Sequence, residues 1–210
     1  MEKSEGFFLS ALLSFSGGLQ DAYTYNVRGK VFANAQTGNV VLMSQNLMSG
    51  QWLRSFYYLC PLVAFALGVF AAEKIESRFR SSGKSIILLL EMAALALVGL
   101  MPGQWDMGAN ALVSFSCAMQ VQAFRKVHGY GYASTMCIGN LRSGTESLSR
   151  YLRTKDREAL VQAGYLFGII FVFALGAGLG GILSAVTGIR TIWFSVAILA
   201  VAALLMGKNA

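Results

Sequence analysis

Apolar residues fall into six long runs along the chain: Phe7–Val27, then 55–72, 85–101, 107–124, 159–186 and 189–207. Each approaches or exceeds the ~17–25 residues that carry an α-helix across hydrocarbon, and the fifth is long enough to tilt or protrude. Two further segments, 31–49 and 131–151, are too polar to face lipid and too apolar to be plain loops. Pro61 lies inside the second run and Pro102 just after the third. A membrane helix tolerates an interior proline when neighbours satisfy the carbonyl it frees.

Composition agrees with this pattern. Of the 210 residues 55% are hydrophobic and 13% charged, with a mean hydropathy of +0.55, where a soluble domain carries about 25% charged residues. The expected class is an all-α integral membrane protein. Charge placement then orders the spans. If 31–49 and 131–151 both crossed, Lys and Arg would divide almost evenly between the two sides. If neither crosses, all but Arg28, Lys30, Arg54 and Arg190 fall on one side, as cytoplasmic loops require. Six transmembrane helices follow, with two embedded broken or re-entrant helices that enter without crossing, and with both termini cytoplasmic. The net charge of +7 belongs to those loops and does not call for nucleic acid. The apolar stretch 7–15 is read as part of a span, because residues 1–5 lack the positive leader of a signal peptide. Cys60, Cys117 and Cys137 are widely spaced, as packing residues are, and suggest neither disulfides nor a metal site.

The chain also repeats itself. Ser14-Phe15-Ser16-x-x-Leu19-Gln20 recurs as Ser114-Phe115-Ser116-x-x-Met119-Gln120, Gly38-Asn39 as Gly139-Asn140, and Phe65-Ala66-Leu67-Gly68 as Phe173-Ala174-Leu175-Gly176. The matches keep their order, which implies a duplication dividing one compact membrane domain into residues 1–106 and 107–210. Each half holds three crossings, an odd number, so the second half is expected upside down relative to the first: an inverted 3+3 repeat, a build common in secondary transporters. Gly164, Gly168, Val172, Gly176, Gly180, Ser184 and Gly188 lie four apart, matched by Cys60, Ala64, Gly68 and Ala72 in the first half, and such a ridge of small residues allows helices to approach closely. This ridge serves packing and leaves a homodimer open.

Polar residues inside such a protein mark its candidate site. Asp21 lies two-thirds along the first span, and an intramembrane carboxylate is costly enough to suggest a role in binding or coupling. The bland alternative is an interfacial acid paired with Arg28 or Lys30. Gln122 occupies the matching place in the second half. Gln36-Thr37-Gly38-Asn39 and Gly139-Asn140 fall in the two embedded helices, and Gln36, Asn39, Met43 and Asn46 share one helix face. That stripe either lines a site or hydrogen-bonds between helices as structural glue. The candidate binding residues are therefore Asp21, Gln36, Thr37, Asn39, Gln122 and Asn140. Glu91, in the third span opposite an apolar Leu199, is a weaker candidate. An enzyme is not expected: His128 is the sole histidine, and no hydrolase, metalloprotease or nucleotide motif is present. No catalytic residue, cofactor or metal is assigned.

Gly18-Leu19-Gln20-Asp21-Ala22-Tyr23, followed by Val31-Phe32-Ala33-Asn34-Ala35-Gln36-Thr37-Gly38-Asn39, resembles the YoaK-like family of bacterial multi-pass inner-membrane proteins, a domain of unknown function. Ala118-Met119-Gln120-Val121-Gln122-Ala123 with Gly139-Asn140-Leu141 looks like the family's later motif. The resemblance implies a bacterial inner-membrane protein and supplies no substrate. The residues themselves point to a small transporter or channel for a polar solute, proton- or cation-coupled through Asp21. The alternative is a non-transporting scaffold that binds lipid or a partner.

Overall fold

The computed structural model describes residues 6–207. The leader at 1–5, on which the signal-peptide reading turns, and residues 208–210 lie outside the described residues. The helices are α1 (Phe7–Val27), α2 (Gln36–Met48), α3 (Trp52–Arg78), α4 (Gly83–Val98), α5 (Asp106–Ala123), α6 (Cys137–Thr154), α7 (Arg157–Thr187) and α8 (Ile192–Gly207). A two-residue hairpin, β1 (Lys126–Val127) against β2 (Tyr130–Gly131), joins α5 to α6.

The expected spans all fall on helices, with different ends. The run 55–72 extends to Trp52–Arg78 because polar residues prolong the helix past its apolar centre. Segments 31–49 and 131–151 are each an extended stretch followed by a helix, α2 and α6. At 13 residues, α2 is about 20 Å long, short of the ~30 Å hydrocarbon core. By length and composition, the helical stretches able to cross a membrane are Trp52–Arg78 and Arg157–Gly207. The second is broken by Gly188, whose φ of 56° starts the short turn between α7 and α8.

Why α1 and α5 miss that criterion is visible in their burial. Ser10, Ser14, Ser16, Gln20, Asp21 and Thr24 of α1 are buried, as are Asn110, Ser114, Ser116 and Gln120 of α5. These two helices form the inside of the molecule. Around them, α3 exposes Phe56, Leu59, Val63, Leu67 and Phe70, and α7 exposes Leu175, Leu179, Ile182 and Val186. Large apolar residues outside, with many polar residues set among the apolar core, depart from the order of a water-soluble domain.

The packing has a simple rule. α1 packs on α7 and α8; α5 packs on α3 and α4; α2 lies on α3, α6 on α7, and α4 on α8. Exchanging α1–α4 with α5–α8 turns these principal contacts into themselves. One pair of close approaches follows the same rule. A Cβ at Gly68 would collide with the Phe115 carbonyl oxygen, and one at Gly176 with the Phe15 carbonyl oxygen. The small-residue ridge thus seats α3 on α5 and α7 on α1 within one chain.

Arg28, just past α1, closes one end of the bundle and is completely buried. Its guanidinium donates to Tyr23 Oη at 2.7 Å, Asp106 Oδ1 at 2.9 Å, and the carbonyls of Val98 and Met101 at 2.8 and 2.9 Å. Its own carbonyl accepts from Asn110 at 2.7 Å and Tyr57 at 3.0 Å. Asp106, not Asp21, is therefore the acid that pairs with Arg28.

The close approaches predict a specific sensitivity. Gly68→Ala and Gly176→Ala should each lower the melting temperature in detergent by the equivalent of about 1–3 kcal/mol, since backbone must move. Gly139→Ala, where a Cβ meets open space, should leave it unchanged. Equal melting of all three variants would contradict the packing described.

Candidate functional site

The site begins with the stretches that precede α2 and α6. After α1 the chain reverses through Gly29 and Lys30, both with positive φ (82° and 64°), and residues 31–35 run back along the helix they have just left. Thr24 Oγ1 accepts from the Ala33 amide at 3.2 Å, and Asp21 Oδ1 accepts from the Asn34 amide at 2.8 Å. Asn39, in the first turn of α2, then grips Phe32. Its Nδ2 donates to the Phe32 carbonyl at 2.7 Å and its Oδ1 accepts from the Phe32 amide at 3.4 Å. The second half does the same. His128 and Gly129 reverse the chain at φ 48° and 83°, and Asn140 grips Ala133, donating at 2.7 Å and accepting at 3.1 Å. Each asparagine satisfies both peptide groups of the residue seven positions earlier, so an extended strand can sit inside the bundle without bare backbone.

The beginnings of α2 and α6 open onto one cavity of about 860 Å³. Asp21, Asn34, Gln36 and Thr37 line it from the first half, Thr135 and Cys137 from the second, and Phe65 and Phe173 stand in its walls. Two of its polar groups are unusual. Asn34 Oδ1 and Thr135 Oγ1 are buried and make no hydrogen bond, although few native buried polar atoms lack a partner. Asn34 and Thr135 stand equally far before the two Gly-Asn pairs.

The other candidates are distributed differently. Asn39 is buried in its clamp. Gln36 lines the cavity while donating to the Ala33 carbonyl at 2.7 Å and Ser114 Oγ at 2.8 Å. Asn46 returns its amide to the Leu42 carbonyl of its own helix at 2.6 Å, so the α2 stripe does not act as one surface. Gln122 and Asn140 border a separate, smaller cavity of about 430 Å³ with Arg125 and Tyr132, and Gln122 donates to Glu73 of α3. Asp21 and Gln122, matched in sequence, thus face different spaces.

A second buried polar cluster centres on Glu91, which is fully buried. Gln20 of α1 donates to its Oε1 at 3.3 Å. The Gln120 amide of α5 bridges the carboxylate and Ser134: oxygen-first, its nitrogen donates to Ser134 Oγ at 2.8 Å, and nitrogen-first it donates to both Glu91 oxygens at 3.1 and 3.2 Å and accepts from Ser134. Ser16 and Ser195 hydrogen-bond each other and accept from Gln20 at 3.0 and 3.1 Å, and Cys117 donates to Gln20 Oε1. Sequence reasoning ranks Glu91 too low. The signal it overlooks is that Gln20 and Gln120 close the two matching Ser-Phe-Ser stretches, and so can converge on one partner.

A polar interior sheathed by exposed apolar helices defines an all-α membrane protein. The chain belongs to the family described as "Protein of unknown function (DUF1275)", whose model it matches over residues 9–205. It is similar to the UPF0700 transmembrane protein YoaK of Bacillus subtilis, with 27% identity over 179 residues that cover 80% of each chain. No solved structure matches it.

The clamps predict which chemical change matters at Asn39. Asn39→Asp keeps the acceptor and loses the donor to the Phe32 carbonyl. It should destabilise the protein about as much as Asn39→Ala, by about 1–3 kcal/mol, in thermal melts run without any solute. An aspartate variant as stable as the wild type would mean that the donor does not hold the loop.

Proposed function

We propose that the protein is a small transporter or channel that moves a polar solute across the bacterial inner membrane and performs no chemistry on it. The observation that carries this reading is the cavity at the starts of α2 and α6. Two residues that line it, Asn34 and Thr135, one from each half, each carry a buried polar atom without a hydrogen bond, Oδ1 and Oγ1, which a solute reaches when the side chain turns toward the cavity. A solute that hydrogen-bonds to both would meet needs that the protein leaves unmet. The apolar walls, Leu62, Phe65 and Phe173, suit a small molecule with a polar head and an apolar body. Asp21 lies at the same cavity, where its carboxylate accepts from the Asn34 amide. This supports a part for it in positioning α2 and in contacting the solute.

In this reading six helices cross, α2 and α6 enter from opposite faces without crossing, and residues 1–106 and 107–210 form an inverted 3+3 repeat with both termini cytoplasmic. The exchange symmetry of the helix contacts, the paired glycine seats and the paired asparagine clamps support the repeat. The uneven distribution of Lys and Arg supports the orientation. A reporter active only in the periplasm, fused after Ala210, should be silent; activity there would reverse the topology.

A second reading, binding of a membrane lipid, is favoured by one observation. A groove of about 630 Å³ where α7 meets α8 combines Arg190 with Trp193 and Phe194, a cation beside apolar surface at a helix end.

Thr135→Val separates the solute reading from a structural one. Deleting an unpaired buried hydroxyl should stabilise the empty protein by about 1 kcal/mol. The same variant should lose the stabilisation given by any hit from a thermal-shift screen of polar metabolites, about 2.7 kcal/mol for a ligand at a hundred times its Kd. Hits that stabilise Thr135→Val and Asp21→Asn as strongly as wild type would place binding elsewhere.

A further inference from the structure

Glu91 is fully buried and is not among the residues that line the cavity. Facing it are Gln20 and Ser16 from α1, Gln120 and Cys117 from α5, and Ser195 from α8. Of these groups only Cys117 titrates, and Asp21 is the one further acid close to that thiol. None of the described partners of Glu91 is a cation, and the buried Arg28 is committed to Asp106 and to the carbonyls at the end of α4. A metal ion does not fit, because Gln20 Nε2 already donates to Oε1 and no group of three or more metal-binding side chains occurs among the described residues. An uncompensated charge at that depth is costly. The amides of Gln20 and Gln120 each hold a donor and an acceptor on one rotatable group. Turned nitrogen-first they serve a carboxylate; turned oxygen-first they serve a protonated Glu91, with the Gln120 nitrogen then on Ser134 and the Gln20 nitrogen toward Cys117.

We propose that Glu91 is a proton-binding site, loaded and unloaded as the protein works, with the amide of Gln20 as the element that follows its state. Gln20 adjoins Asp21 in α1, and Cys117, which donates to Gln20, lies near both carboxyl groups and the Asn34 side chain. On unloading, the O–H bond of Glu91 breaks, the electron pair stays on Glu91 as carboxylate, and the proton passes to the carboxylate of Asp21 at the cavity. This deepens the transport reading and depends on it for coupling; the binding of a proton at Glu91 does not.

The test needs no solute. Full-length protein in lipid nanodiscs is titrated with acid and followed by infrared difference spectroscopy in H2O and D2O. Acid protonates every carboxyl, Asp21 among them, so the readout is the difference between variants. Wild type minus Glu91→Gln should show one carboxylic-acid C=O component that rises and falls with pH, distinct from the component that Asp21→Asn removes. A Glu91→Gln spectrum that matches wild type at every pH overturns the proposal. If Glu91→Gln fails to fold, Gln120→Met gives the answer. Removing two donors from the carboxylate should move the midpoint by about one pH unit or more, a tenfold change in proton concentration, and an unmoved midpoint overturns the assignment. The two readings fail separately. A band that behaves as expected, with ligand hits indifferent to Thr135→Val, would keep the proton site and remove the proposed solute site.

Discussion

Lipid cannot hydrogen-bond, so every polar group at membrane depth must find its partner within the protein. Here that constraint falls on α1 and α5, which carry buried serines, glutamines, an asparagine and Asp21. Both have to be wrapped, and the wrapping sets the rest of the architecture. The apolar helices α3 and α7 lie directly against their backbones, which only glycine allows at positions 68 and 176. That close seating leaves room inside for the strands before α2 and α6, whose own peptide groups are then met by Asn39 and Asn140.

The ends of the bundle obey the same constraint with different chemistry. In the first half Arg28 reaches the start of α5 through Asp106, and Tyr57 caps the Arg28 carbonyl. In the second half His128 reaches the start of α1, accepting from the Phe7 amide at 3.3 Å, while Tyr165 stacks on the imidazole at 4.7 Å. One joint is an ion pair whose guanidinium is buried and makes four hydrogen bonds, with Asp106 partly exposed; the other is a hydrogen bond from a backbone amide and a ring stack. Such a pair is a weak source of net stability but a strong enforcer of one arrangement, because removing Asp106 strands the buried charge of Arg28. Position 28 therefore tolerates lysine poorly, since an ammonium cannot reproduce the planar fork.

Much of this was legible in the order of residues, and the reasons for what was not are physical. Apolar runs mark helices because hydrocarbon selects them, and the matched stretches mark which positions face one another. Gln20 and Gln120 were visible as a pair. Their common partner was not, because Glu91 comes from a helix whose counterpart carries Leu199 and therefore leaves no echo in the other half. The Gly-Asn pairs stood out, yet a side chain that could hydrogen-bond anything gave no sign that it closes on a peptide group seven residues back. Asp21 was singled out as an acid in a membrane; its hydrogen bond to the Asn34 amide depends on the chain reversing at Gly29 and Lys30, which a helix-length argument does not see. The extended stretches before α2 and α6 were hidden for the same reason.

The clamps at Asn39 and Asn140 are internal to their own segments: each joins a half-helix to the strand that leads into it. Loop and half-helix therefore form a closed cassette, and shifting the cassette as a unit breaks none of the clamp's hydrogen bonds. What tethers each cassette to the bundle is unequal. The first is moored to α1 by two backbone amides that donate to the side chains of Thr24 and Asp21, while the second meets α5 through Ser134 and the amide of Gln120, the same amide that faces Glu91. The frame is nearly symmetric and its moorings are not: the α6 cassette is tied through one glutamine to the buried carboxylate of Glu91, and the α2 cassette to the acid that borders the cavity.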